Sequence, residues 1–313
     1  MGQLKGQTNF NPERDIPSLE GKVIFITGGT AGLGAESVKA LAKHSPRHIY
    51  FTGRNSSAAD ALVRNIKAAQ PSASLSFLQM DMTSLSSVRT AIDQGFTHDR
   101  LDIMMCNAGV MAKPPELTKD GFEVQFGINH LAHALMIRQL TPVLLKTAED
   151  PNSDVRLVCL TSTGWRGHPK QGVDFDRVRT TQESTGGSWI RYGQSKLANV
   201  VYAAEFARRN PSILAVSVHP GVVVTDLVND LNRVKKTFVY ATSWVQGINL
   251  LQPEQGALNQ LWAAAGATRS EVVNGAFYMP VGVESNSMLD NVATSQDFAK
   301  RLWQWTEEAL ADY

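Results

Sequence analysis

The sequence predicts an α/β fold, a single-domain, doubly wound parallel sheet with helices on both faces. Three observations carry this. Short β-branched runs alternate with segments of helical period along most of the 313 residues. The runs are nearly continuously apolar, as strands buried on both faces must be. The first of them ends in a glycine-rich turn that opens directly into a helical segment. No linker, repeat or low-complexity tract splits the chain, so residues 21–313 are expected to form one domain behind an N-terminal extension, residues 1–20.

GKVIFITGG, from Gly21, reads as the first strand, and AESVKALAKH as the helix after it. HIYFTG from His48 is a strand and AADALVRNIKAAQ from Ala58 a helix; LSFLQMD from Leu75 is a third strand, with a helix starting near Ser84. LDIMMCNAG is the fourth strand, followed by a long helical segment from about Gly121 to Lys146. DVRLVCLTS, ILAVSVHPG and AFYMP supply the fifth, sixth and seventh strands. Right-handed crossovers between such strands place a ligand at their carboxyl ends.

Composition narrows the function. Thirty basic against twenty-nine acidic residues leave a net charge of +1, which excludes a chain-wide nucleic-acid footprint. Two cysteines, Cys106 and Cys159, exclude a disulfide framework and read as inert core thiols of a reducing compartment. The first twenty residues hold no apolar run, and Gly6 stands where a myristoylation signal wants Ser or Thr. The longest uncharged stretch, Thr237 to Pro253, is broken by polar residues and reads as a pocket wall, so membrane contact is not expected. A cytoplasmic protein is the expectation. His130 and His133 have a spacing that can hold zinc, but no nearby Cys or carboxylate completes a site, so no metal is expected.

The glycine turn points to a dinucleotide. In TGGTAGLG, Gly28 permits the tight turn, Gly32 lets backbone approach a pyrophosphate and Gly34 lets the helix pack close to the sheet. The helix start aims unpaired N–H groups and a positive dipole end at that phosphate. At the end of the second strand stands Arg54, where an NAD-binding protein usually carries Asp or Glu. A guanidinium there suits a 2′-phosphate, so NADP(H) is preferred over NAD; the plain alternative is a solvated arginine.

Tyr192 and Lys196 stand at i and i+4 of a helical pattern and so share one face. An ammonium near a phenol favours the phenolate, pulling the tyrosine below its free value of about 10. A tyrosine so tuned exchanges a proton with an alkoxide as hydride moves.

These motifs together resemble the short-chain dehydrogenase/reductase family and a Rossmann-type fold, from about Gly21 to Pro280. The order is TGGTAGLG, Asp81 after the third strand, CNAG from Cys106, YGQSK from Tyr192 and HPG from His219. The string YGQSKLANVVYAAEFARR is similar to the retinol-dehydrogenase-like branch and to fungal-type NADP-dependent reductases of secondary metabolism. The resemblance implies a catalytic set of Asn129, Ser162, Tyr192 and Lys196. Ser162 would hydrogen-bond the substrate oxygen, with Thr161 and Thr163 as neighbours that could take its place. Asn129 would hold a relay water, or else be a polar core residue satisfied by a backbone carbonyl. Lys196 would also bind the nicotinamide ribose. Asp81, backed by Met82, would meet the adenine, although it also reads as a helix cap. Asn107, Ala108 and Gly109 would shape the cofactor floor, Thr30 and Leu33 would lie along the phosphates, and Pro220, Gly221, Val223 and Thr225 would lie near the nicotinamide.

The implied activity is hydride transfer between NADPH and a carbonyl or secondary alcohol. Trp165, Trp189, Phe238, Tyr240 and Trp244 either roof a pocket for a mid-sized apolar substrate or simply pack the helices. Ketones of secondary metabolism, and retinoid- or steroid-type alcohols, both fit. A non-catalytic NADP-binding regulator on the same fold is the rival reading. A sugar-nucleotide epimerase is disfavoured, since only about 90 residues follow the sixth strand. Thirty residues separate Ser162 from Tyr192, an insertion expected to form a flap over residues 163–190, with a substrate loop over 222–252. Pairing of two copies through the long helices is the further implication of the resemblance.

Overall fold

The computed structural model describes residues 6–224 and 250–313. Its sheet contains β1 (Val23–Ile26), β2 (His48–Gly53), β3 (Leu75–Gln79), β4 (Ile103–Cys106), β5 (Arg156–Leu160), β6 (Leu214–Val218), β7 (Phe277–Met279) and β8 (Val283–Glu284). The spatial order is β3-β2-β1-β4-β5-β6-β7-β8. All neighbours run parallel except β8, which returns antiparallel along β7. The direction of winding reverses between β1 and β4, and this opens a crevice at their carboxyl ends.

Period-two alternation divides the strands between two cores. Val23 and Phe25 join the apolar cluster on one face; Ile24 and Ile26 join that on the other. The helices are α1 (Pro12–Asp15), α2 (Gly32–Ala42), α3 (Ser56–Ala69), α4 (Leu85–Gly95), α5 (Val124–Phe126), α6 (Ala132–Ala148), α7 (Ser188–Arg209), α8 (Pro253–Gly256), α9 (Leu258–Leu261) and α10 (Gln296–Ala309). Asn55 and Ser84 cap α3 and α4 by accepting from Ala58 N and Ser87 N. Between α5 and α6 the chain makes a π-turn, Gly127–Leu131. The N-terminal segment is not free of the body: Phe10, Ile16 and Leu19 are buried in the second core.

Cys106 and Cys159 are buried and face each other across β4 and β5. α7 is buried from Arg191 to Ala207, apart from the partly exposed Ala204. Part of that cover is α10: the Trp303 ring stacks on Tyr202 at 4.8 Å, and Thr306 bonds His130 at 2.9 Å. Copies pairing through α7 would have to displace α10. Among the described residues no helix is long and apolar enough to cross a membrane, and no group of three or more His, Cys, Asp or Glu is placed to hold a metal ion.

Candidate active site

Tyr192 and Lys196 lie in the first three turns of α7, which passes the end of β5. Both are buried at 5% exposure, with the Lys196 Nζ 5.8 Å from the centre of the Tyr192 ring. Lys196 donates to the Leu160 carbonyl at 3.2 Å, and Asn199 donates to the same oxygen at 3.0 Å. Thr161 is occupied, its hydroxyl donating to the Lys196 carbonyl at 2.8 Å. Ser162, next along, is the hydroxyl that acts on the phenol. Its Oγ accepts from Gly164 N at 3.1 Å, which leaves the hydroxyl proton available to a second oxygen. A Cβ on Gly164 would stand 2.8 Å from the Tyr192 ring, so only glycine lets this 3₁₀ turn, Thr163–Gly167, lie against the phenol.

The electrostatics differ from the expectation. Burial pushes the Tyr192 phenol up to about 12, with Ser162 working against it, and burial draws the Lys196 ammonium down to about 8. Desolvation therefore outweighs the help expected from the i+4 ammonium, and the tyrosine is held as a phenol.

Asn129 sits in the π-turn. Its Nδ2 donates to the Val110 carbonyl and to Ser195 Oγ, both at 2.9 Å, and its Oδ1 accepts from Val110 N at 2.8 Å. The side chain is thus bonded to protein through both its amide nitrogen and its oxygen. A Cβ on Gly109 would stand 3.1 Å from Asn129 Oδ1 and 3.5 Å from Lys196 Nζ, which brings Gly109, Asn129 and Lys196 to one spot.

The nucleotide turn is tightly wound. A Cβ on Gly34 would come within 2.2 Å of the Gly28 carbonyl, and Gly28 and Gly32 have φ of +66° and +52°. α2 begins with no side-chain cap, so its first N–H groups face the turn. Thr30 packs on Gly53 at the end of β2. Asn107 Nδ2 donates to the Thr27 carbonyl at 2.8 Å, so this side chain braces the turn. Gln260, which the sequence reading missed, donates to Ser37 Oγ at 2.7 Å and Asn107 Oδ1 at 3.2 Å. Beside the turn lies a cavity of about 440 Å³ lined by Arg54, Gln79, Met80, Asp81 and Ser87. These donors, the uncapped helix and the cavity fit a dinucleotide.

Asp81 does not cap α4; Ser84 does. Its Oδ1 accepts from Thr83 N and Thr83 Oγ1, and its Oδ2 meets Lys119 at 2.8 Å. Burial works to raise this carboxyl, but Lys119 and Thr83 outweigh it and hold it near 2. Val223 bridges to Leu251, and Gly221 has φ +92°, turning the chain after β6. Thr225 lies outside the described residues, as do Phe238, Tyr240 and Trp244.

Residues 22–159 match the family described as short chain dehydrogenase. Along 309 residues the chain is 33% identical to a short-chain dehydrogenase/reductase, drtF, of Aspergillus calidoustus, covering 94% of this chain and 95% of that one. The chain belongs to the short-chain dehydrogenase/reductase family. It is also 33% identical to an uncharacterized oxidoreductase of Schizosaccharomyces pombe, over 100% of this chain and 93% of that one. Among solved structures, a putative uncharacterized protein from Mycobacterium paratuberculosis superposes with a TM-score of 0.73 at 24% identity, over 97% and 98% of the two chains, a likeness of fold. A blue fluorescent protein from a metagenomic library, in complex with NADPH, superposes with a TM-score of 0.62 at 26% identity, over 85% and 98%. As a short-chain dehydrogenase/reductase, this protein is an oxidoreductase of a family that binds nicotinamide cofactors and acts on hydroxyl or carbonyl groups.

Proposed function

We propose that this protein is an NADPH-dependent reductase of mid-sized apolar ketones, of the kind used in secondary metabolism. The observation that carries the reading is the convergence of Ser162, Tyr192 and Lys196 around a phenol kept protonated by burial. The nicotinamide supplies the hydride when bound.

The chain's residues do the rest. Ser162 donates to the substrate oxygen and stabilises the charge that develops there. Tyr192 delivers its proton to that oxygen; a phenol raised to about 12 is fully protonated at neutral pH and still more acidic than an alcohol. Lys196, buried beside the ring, orients the ribose and offsets the phenolate charge once the proton has left. Asn129 holds the π-turn against Val110 and against Ser195 of α7. Arg54 meets the 2′-phosphate in the cavity it shares with Asp81, and Gly28, Thr30, Gly32, Leu33 and Gly34 carry the pyrophosphate on the α2 terminus. The relative solved with NADPH is consistent with this cofactor.

A panel of apolar ketones and aldehydes, including retinaldehyde and a steroid ketone, run with NADPH and with NADH, tests the reading. Turnover with NADPH that vanishes in Tyr192→Phe, while NADPH still binds, supports it. No NADPH oxidation by any member of the panel favours the regulator reading instead.

A further inference from the structure

Arg191, the residue before the tyrosine, is only 1% exposed, and its guanidinium is shared among three segments remote from one another in the chain. Nε donates to Glu123 Oε1 at 3.2 Å, Nη2 to the Lys113 carbonyl at 2.9 Å and Nη1 to the Gln182 carbonyl at 3.5 Å. Glu123 is itself fully buried; its Oε2 accepts from Phe126 N at 2.8 Å, and its own N–H donates to the Val178 carbonyl at 2.7 Å. The buried ion pair thus fastens the loop after β4, the start of α5 and the flap at Gln182 to the first turn of α7, while the Glu123 backbone adds a second tie to the flap at Val178.

Those segments border the candidate site. The flap leaves from Ser162, and the loop after β4 leaves from Gly109 and Val110, which are held by Asn129. Arg191 and Tyr192 are adjacent on a helix and so point about 100° apart, one toward the wall and one toward the site.

The backbone shows that these contacts hold shape. Among the described residues three non-glycines have positive φ, and two of them lie at the arginine's anchor points: Ala112, next to Lys113, at +52° and Gln182 at +49°. A side-chain-bearing residue stays in that region only where its surroundings hold it. Gln182 has a second tie, from Gln194 Nε2 to its Oε1. A buried arginine pair is poor evidence of stability, since apolar residues of similar volume often serve as well; geometry is what it supplies.

We propose that Arg191 is a positioning residue that sets the substrate wall, pinning the flap and the loop after β4 beside Tyr192 without touching substrate. The consequence for substrate rests on the carbonyl-reductase reading; the anchoring does not.

Arg191→Met alone leaves Glu123 as a lone buried charge and threatens folding, so the decisive protein is Arg191→Met/Glu123→Leu, in which neither charge remains. Three measurements apply: NADPH affinity by fluorescence, KM and kcat for the best panel carbonyl, and the rate of tryptic cleavage within the flap, at Arg166, Lys170, Arg177 or Arg179. The double variant is expected to bind NADPH within about twofold of the parent, raise KM about tenfold with kcat changed less than about threefold, and lose flap protection about tenfold. Arg191→Lys, a point charge without the fork, falls between. Unchanged KM and cleavage in the double variant overturn the proposal, as does an equal loss of NADPH binding, which marks a general structural role. If the parent turns over no carbonyl, the reductase reading fails, and the cleavage rates alone decide the anchoring.

Discussion

Thr27 Oγ1 and His133 Nε2 lie 2.9 Å apart, a single bond that joins the nucleotide turn to the helix behind the catalytic wall. The geometry fixes the imidazole tautomer. His133 Nδ1 faces the Asn129 carbonyl at 3.0 Å, which can only accept, so the proton is on Nδ1. Burial draws the ring down to about 4, so it is neutral near pH 7 and its bare Nε2 accepts from the Thr27 hydroxyl. Thr27 Oγ1 in turn accepts from Asn107 N at 2.8 Å and Ala108 N at 2.9 Å.

Thr27→Val keeps the side chain's shape but leaves His133 Nε2 and the Ala108 N–H unpaired, while Asn107 N–H keeps its bond to the Met105 carbonyl. It is expected to lower stability by about 1–3 kcal/mol in urea unfolding, with Thr27→Ser close to the parent. Equal stability of the Val and Ser variants would refute the bond's importance.

On the proposed cofactor reading, Arg54→Ala removes a charge-assisted contact to the 2′-phosphate, which only NADP carries. The loss in kcat/KM for NADPH is expected to be about 10–100-fold, with NADH changed less than about threefold. A parallel fall for both cofactors would show that Arg54 supports the turn rather than reading the phosphate.

On the proposed mechanism, two buried groups set the pH profile of reduction. Tyr192 keeps its proton up to about 12, so it does not limit the rate near neutrality. Lys196 loses its charge as pH rises through about 8, and with it the offset of the phenolate. Reduction is expected to be level at neutral pH and to fall on the alkaline side of that value, measured as kcat/KM. A reduction rate that climbs steadily to about pH 10 would contradict this.

Acid stability follows from buried histidines. Burial lowers His48, His133 and His219 to about 4 and His130 to about 3. In the unfolded chain each takes a proton as pH falls through about 6.5, while the folded protein takes none until about 4. The unfolded state then binds more protons, so stability falls as pH drops through that window, by up to about 1.4 kcal/mol per pH unit for each histidine. Urea midpoints taken between neutral pH and pH 5 should decline; a flat series would show that the rings are not held neutral.

Much of the fold was legible because local chemistry dictates it. Apolar β-branched runs predicted β1 to β7, and the helix after β3 begins beside Ser84, where it was expected. β8 escaped because two residues, Val283 and Glu284, carry no periodicity. Asp81 stands just past β3, as the motif order implied, but its ion pair with Lys119, 38 residues away, was not legible.

The chain's own order determined the glycine turn, the placement of Arg54 after β2 and the shared face of Tyr192 and Lys196, all set by spacings of a few residues. Only the tertiary structure decided how those groups behave. Helical spacing states that an ammonium and a phenol are neighbours, but not how much water each has lost, and that loss sends Tyr192 up and Lys196 down. Arg191 belongs with them: its carboxylate lies 68 residues back, and two of its anchors are carbonyls, which every residue possesses and no sequence pattern marks.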